Sequence, residues 1–222
     1  MMKLVKLIIS SIVFGLMFIS AAKCQESPEE DLLGELLSEE SPNQNALLPE
    51  RMLLTQRMLW GEKGLYRKMG IAPKVLNSEA REKELKIRRT MFKIHQGVGL
   101  ATAGAMLAQG IIGSRLYNNF DPKLKNWHEG LATGINIGYG TTALMSFTSP
   151  PPFINRKKFD NIKLHKILSY VHLTGMITTN VLANRLEGSG DNYLRIRKMH
   201  KYVGLTTFGA YALAIGSIKV EF

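Results

Sequence analysis

The chain has one cysteine, Cys24, which excludes an intramolecular disulfide and a cysteine-ligated metal site. It has no glycine-rich nucleotide loop, no catalytic-triad spacing and no zinc motif. Those absences remove the common routes to soluble catalysis. Residues 25–50 contain no basic residue and eight acidic ones, leaving +19 on the remainder of a chain whose net charge is +11. That surplus flanks apolar runs, which is the distribution of a membrane protein and argues against nucleic acid as a partner. Acidic residues are almost missing from the apolar runs, where only Glu129 comes near one. A histidine-lined transporter of metal ions or protons is the alternative function, and it expects such acids along its path.

Residues 1–24 read as a signal peptide. Lys3 and Lys6 lead an apolar core from Leu7 to Ala22, and Ser20-Ala21-Ala22 supplies small residues for cleavage. Lipidation at Cys24 is one alternative, although Lys23 stands where a small residue is expected; an uncleaved anchor is another. Residues 25–50 form an acidic linker whose composition buries too little surface to order it. Residues 51–90 are an amphipathic region. Met52, Leu53, Met58, Leu59, Trp60, Leu65 and Tyr66 interleave with Arg51, Arg57, Lys63, Arg67 and Lys68. Such a stretch lies at a membrane interface or packs as a small helix on the rest of the protein. Gly70 and Pro73 end its first stretch, residues 51–76.

Residues 91–222 carry four long apolar segments. A helix is expected from Ser78, capped by Asn77, with Glu79, Glu82 and Glu84 near its positive end. It continues without a break through Ile94–Ser114, a run rich in Gly and Ala and free of charge. Asp121-Pro122 opens a second helix that ends at Ser149-Pro150-Pro151-Pro152. Gly130, Gly134 and Gly138 fall on one of its faces. Asp160 or Asn161 caps a third, ending near Glu187-Gly188, and Asp191 or Asn192 caps a fourth, ending near Ile218. Short loops make consecutive helices antiparallel neighbours. The fold class is all-α: an integral membrane up-and-down four-helix bundle behind a signal peptide and an amphipathic region.

Each long segment has a histidine near its start: His95, His128, His165 and His200. Alternating helix direction puts His95 and His165 at one end, called end A, and His128 and His200 at the other, end B. In an up-and-down bundle the first and third helices are diagonal, as are the second and fourth, so each pair can face across the centre. Two imidazoles on facing helices are the axial ligands of a haem iron. One histidine at the end of a span is ordinarily an interfacial residue. Four in same-end pairs predict two haems. Gly99 and Gly204 lie four residues after His95 and His200, on the ligand's own face, where small residues leave room for the haem. Lys93, Lys163, Lys166, Lys198 and Lys201 are placed to meet the propionates. His172 lies seven residues after His165 on the same face and is the alternative ligand at that position.

These openings resemble the cytochrome b561 family. Leu164-His165-Lys166-Ile167-Leu168 and Met199-His200-Lys201-Tyr202-Val203-Gly204-Leu205 look like that family's helix starts; Ile94-His95 and Trp127-His128 match by placement. The resemblance covers about residues 90–218. It implies two b-type haems, ligand pairs drawn from first with third and second with fourth helices, and transmembrane electron transfer. Eukaryotic members have six spans where four are read here, and no ascorbate site is recognisable. The expected activity is that of an electron-transfer protein working between a quinol or membrane dehydrogenase and a redox partner at the opposite face. A structural role as subunit of a larger membrane complex is the third reading. The expected location is a bacterial inner membrane with residues 25–90 and Phe222 periplasmic. The basic count runs the other way, with twelve lysines and arginines flanking end A and eight flanking end B. The signal peptide outweighs that small excess.

Overall fold

The computed structural model describes residues 47–49, 51–153 and 159–218. The signal segment, most of the acidic linker and the C-terminus at Phe222 lie outside the described residues. Among the described residues every regular element is helical. Two short helices, α1 (Leu54–Trp60) and α2 (Leu65–Lys68), precede four long ones: α3 (Ser78–Asn118), α4 (Pro122–Thr148), α5 (Asn161–Asn184) and α6 (Tyr193–Ser217).

The helix starts follow from local chemistry. The Asn77 side chain accepts from the Ala80 N–H at 2.8 Å and begins α3. That helix runs unbroken for 41 residues, a length of about 60 Å. Asp121 accepts from the Lys123 N–H with Pro122 in the first turn of α4, and Asp160 accepts from the Lys163 N–H at the start of α5. The fourth start departs from expectation. Neither Asp191 nor Asn192 caps α6 by its side chain. A 3₁₀ turn, Gly190–Asn192, feeds directly into it, with Gly190 at φ +46° supplying the left-handed corner. α5 also stops earlier than expected, at Asn184.

α3 packs on α4, α5 packs on α6, and α3 packs on α6. The α4 and α5 backbones do not approach closely; side chains bridge that edge. Asn136 and Asn180 exchange amide hydrogen bonds at 2.9 and 3.1 Å, and Tyr139 reaches His172. α3 and α5 are therefore diagonal, as are α4 and α6. The core holds Met106, Ile135, Tyr139 and Tyr211. Gly138 lets α4 close on α3, since a Cβ there would lie 2.5 Å from Thr102 Oγ1. Gly130 and Gly134 have open space where a side chain would go, so the three glycines do not act as one packing face.

The amphipathic region both packs and presents an apolar face. Trp60 is 3% exposed, and its indole N–H donates to the Thr148 carbonyl at 2.7 Å. Gln56 donates to Ser149 O, Arg88 to Pro150 O at 2.6 Å and Arg81 to Pro151 O at 3.2 Å. These side chains satisfy carbonyls that α4 and its proline exit leave without backbone donors. Glu84 is not a helix-end charge. It is fully buried and joins two buried guanidiniums, Arg67 at 2.6 Å and Arg81 at 2.5 Å. Burial, with the charge of Arg81 nearby, pulls the Arg88 guanidinium down to about 10. On the outer face Leu54, Met58, Leu65, Met69, Ile71 and Val75 are all exposed.

Among the described residues one helix, α3, is long and apolar enough to cross a membrane. α4, α5 and α6 carry more polar side chains, among them Asn136, Tyr139, His172, Asn180 and several threonines.

Candidate functional site

The four histidines fall in two layers. His95 sits near the start of the apolar part of α3, and its Nδ1 lies 3.0 Å from the Thr142 carbonyl of α4. His165 on α5 makes the same contact with the Ala214 carbonyl of α6 at 2.7 Å. His200 on α6 makes it with the Thr179 carbonyl of α5 at 3.0 Å. A carbonyl can only accept, so each of these Nδ1 atoms carries the proton. The Nε2 lone pair is left free to bind a metal, the tautomer that ligating histidines hold by donating their other N–H.

These contacts also set the spacing of the layers. Thr142 follows His128 by 14 residues on α4, Ala214 follows His200 by 14 on α6, and Thr179 follows His165 by 14 on α5. At 1.5 Å per residue the layers are about 21 Å apart. At end B the His128 and His200 rings have centroids 6.3 Å apart and planes at 73°. At end A, His95 on α3 and His165 on α5 stand on diagonal helices, each fixed by a carbonyl of the neighbouring helix.

His128 is the odd member. Its Nδ1 is buried without a partner among the described residues, as is Gln109 Oε1, while Gln109 Nε2 donates to the His128 carbonyl at 3.0 Å. Its ring rests on Gly113, where a Cβ would lie 2.8 Å from Cε1.

The remaining sequence candidates divide. The Gly99 carbonyl accepts from the Tyr211 hydroxyl at 3.0 Å, and a Cβ at 99 would meet that oxygen at an ordinary 3.5 Å. Gly204 adjoins Thr179, the residue that fixes His200. Lys93, at the start of the apolar part of α3, and Lys166 and Lys198, near the starts of α5 and α6, are exposed, and Lys163 is half-buried. Lys201 lies over the Tyr117 ring at 4.0 Å, which Arg197 also contacts at 4.4 Å. His172 differs from the other four. It is buried, and its Nδ1 shares a 2.6 Å hydrogen bond with the Tyr139 hydroxyl in place of a backbone carbonyl.

Glu129, the acid nearest a span, is exposed and pairs with Lys125 at 3.4 Å. Together with Glu187 it holds the Lys125 ammonium above its ordinary value. Among the described residues no group of three or more His, Cys, Asp or Glu side chains gathers to hold a metal ion. Each layer offers two imidazoles, so a metal there would need its other ligands from elsewhere. A porphyrin supplies four.

Nothing in the helix openings points to Tyr139 and Tyr211. Their signal is periodic. Each lies 11 residues after the histidine of its helix, His128 or His200, and Met106 and Met176 lie 11 after His95 and His165. The hairpins α3–α4 and α5–α6 thus repeat one pattern, with Thr102 and His172 at equivalent positions. Each histidine layer is built from equivalent residues of the two halves.

No protein-family model, curated protein or solved structure matches this chain.

Proposed function

We propose that the chain is an integral membrane dihaem b-type cytochrome of the cytochrome b561 kind, moving electrons between a quinol or membrane dehydrogenase and a partner at the opposite face. The observation that carries this reading is the distribution of four histidines between two ends, with the Nδ1 protons of His95, His165 and His200 committed to neighbouring carbonyls. His95 and His165 would hold one haem, His128 and His200 the other. The His128 and His200 rings, with centroids 6.3 Å apart on facing helices, would supply the two imidazoles of the second haem. A bis-histidine haem supplies a low-spin iron that exchanges one electron with little ligand movement. The protein's part is to fix the imidazoles, bury the site and set its potential. His165 is preferred to His172 because it shares the carbonyl contact of His95 and His200.

The outer surface supports a membrane setting for all four long helices. Leu100, Ile137, Leu144, Ile167, Ile177 and Leu213 are exposed on it. An apolar coat of that extent has no place in water. Exposed Thr133, Thr174, Thr178 and Thr206 each donate their hydroxyl to the carbonyl four residues back, so they ask nothing of the surroundings. Trp127 and Tyr193 at end B and Phe159 at end A are exposed at the levels where aromatic residues anchor spans. The exposed apolar residues of the α1–α2 region, beside Arg57, Lys63 and Lys68, would meet the lipid surface. The membrane is assigned as a bacterial inner membrane with residues 25–90 and the C-terminus periplasmic.

The test is the reduced-minus-oxidised spectrum and haem content of the purified protein. The unchanged chain should carry two haems, His95→Ala and His128→Ala one each, and His172→Ala two with a shifted potential. Two haems in both His95→Ala and His128→Ala would overturn the ligand assignment, and a haem-free unchanged protein would overturn the reading itself.

A further inference from the structure

Between the histidine layers lies a cluster that the ligand assignment does not use. Tyr139, His172 and Tyr211 are all buried, and their rings close a triangle. Centroids are 5.6 Å apart for Tyr139–His172, 5.9 Å for Tyr139–Tyr211 and 4.9 Å for His172–Tyr211. The rings are held as well as packed. Tyr211 donates to Gly99 O, and Tyr139 bonds to His172. Tyr139 and Tyr211 come from equivalent places in the two halves, three residues before the carbonyls that fix His95 and His165. Their Cα atoms are therefore about 4.5 Å below the end-A layer by helix rise. His172 lies seven residues beyond His165, so about 10 Å below it. The first half has Thr102 at that position. His172 thus breaks the symmetry of the two halves by adding a third ring to the two tyrosines.

An electron tunnelling between the layers couples better through bonded, hydrogen-bonded and closely packed groups than across gaps. We propose that Tyr139, His172 and Tyr211 form the electron bridge between the two haems, with His172 as the ring that joins the two tyrosines; this inference rests on the dihaem reading. One haem iron is oxidised and the other reduced by the same electron. No bond forms or breaks, and the tyrosines keep their protons. Exposed Thr174 and Asn136 lie outside this triangle, and Thr102 carries no ring, so the bridge has no parallel arm through the first half.

The experiment uses the full chain in liposomes with ferricyanide trapped inside and dithionite added outside. The rate at which electrons cross is measured by stopped-flow absorbance, alongside haem content and midpoint potentials. His172→Leu should keep two haems and cross severalfold more slowly, while His172→Phe, which restores a ring, should recover the rate. His172→Leu crossing as fast as the unchanged protein overturns the bridge. So does His172→Phe remaining as slow as His172→Leu, which assigns the effect to the hydrogen bond and not the ring. Should His172→Leu lose a haem, Tyr211→Leu carries the same comparison against Tyr211→Phe. Haem loss in both leucine variants makes the rings part of the haem pocket and overturns the proposal. A haem-free unchanged protein is a different outcome, because it removes the dihaem reading on which the bridge depends.

Discussion

Replacing Glu84 by glutamine tests how the N-terminal helices are held. The carboxylate is 0% exposed, forms an ion pair with Arg67 at 2.6 Å and accepts a hydrogen bond from Arg81 at 2.5 Å, both guanidiniums being buried. The amide keeps the shape but removes the charge that opposes two guanidiniums. Breaking a buried pair typically costs about 3–5 kcal/mol. The lower figure is appropriate here, because Arg67 retains the carbonyls of Trp60, Gly61 and Pro73 and Arg81 retains Pro151. About 3 kcal/mol is roughly a hundredfold in an opening equilibrium. The assay is amide hydrogen exchange followed by proteolysis. Amides of α1 and α2 should exchange about a hundredfold faster through local opening, those of α5 and α6 should be unchanged, and haem content should stay the same. Unchanged protection of residues 54–68 would show that the triad does not hold them. Equal loss of protection in every helix would also contradict the expectation, since that makes the triad a general support and not a local clasp.

Two further perturbations separate local geometry from composition. Gly113→Val puts a Cβ 2.8 Å from the His128 ring and should disturb or remove the end-B haem while the end-A haem remains; Gly130→Val, with nothing within 4 Å, should keep both, and haem spectra of the two variants decide. A reporter fused after Phe222 that works only outside the cytoplasm should be active, and activity confined to a cytoplasmic reporter would invert the protein and exchange the partners of the two haems.

The positions of the helices were legible in the sequence because their signals are local. Asn77, Asp121 and Asp160 each bond to an N–H within the next three residues, and three prolines after Ser149 stop α4 wherever the rest of the chain lies. The same locality placed His128, His165 and His200 near their helix starts and His95 at the start of the apolar part of α3. It failed at α6, where the 3₁₀ turn through Gly190 took over the work expected of Asp191 or Asn192.

The helical class, the alternation of direction and the distribution of histidines between two ends were therefore set by local pattern. Packing between distant elements decided the rest. Glu84 looks like a helix-end charge until Arg67 folds back onto it across 17 residues. Which side of residues 51–76 would be covered depended on the face that met α4: Trp60 turned inward and Leu54 outward. His165 and His172 share a helix face and cannot be told apart by spacing. They separate only when α6 offers one a carbonyl and α4 offers the other a hydroxyl. The physical reason is the same in each case. Caps and turns depend on neighbours in the chain, whereas the partner of a buried polar atom is chosen by the packing of elements far apart in it.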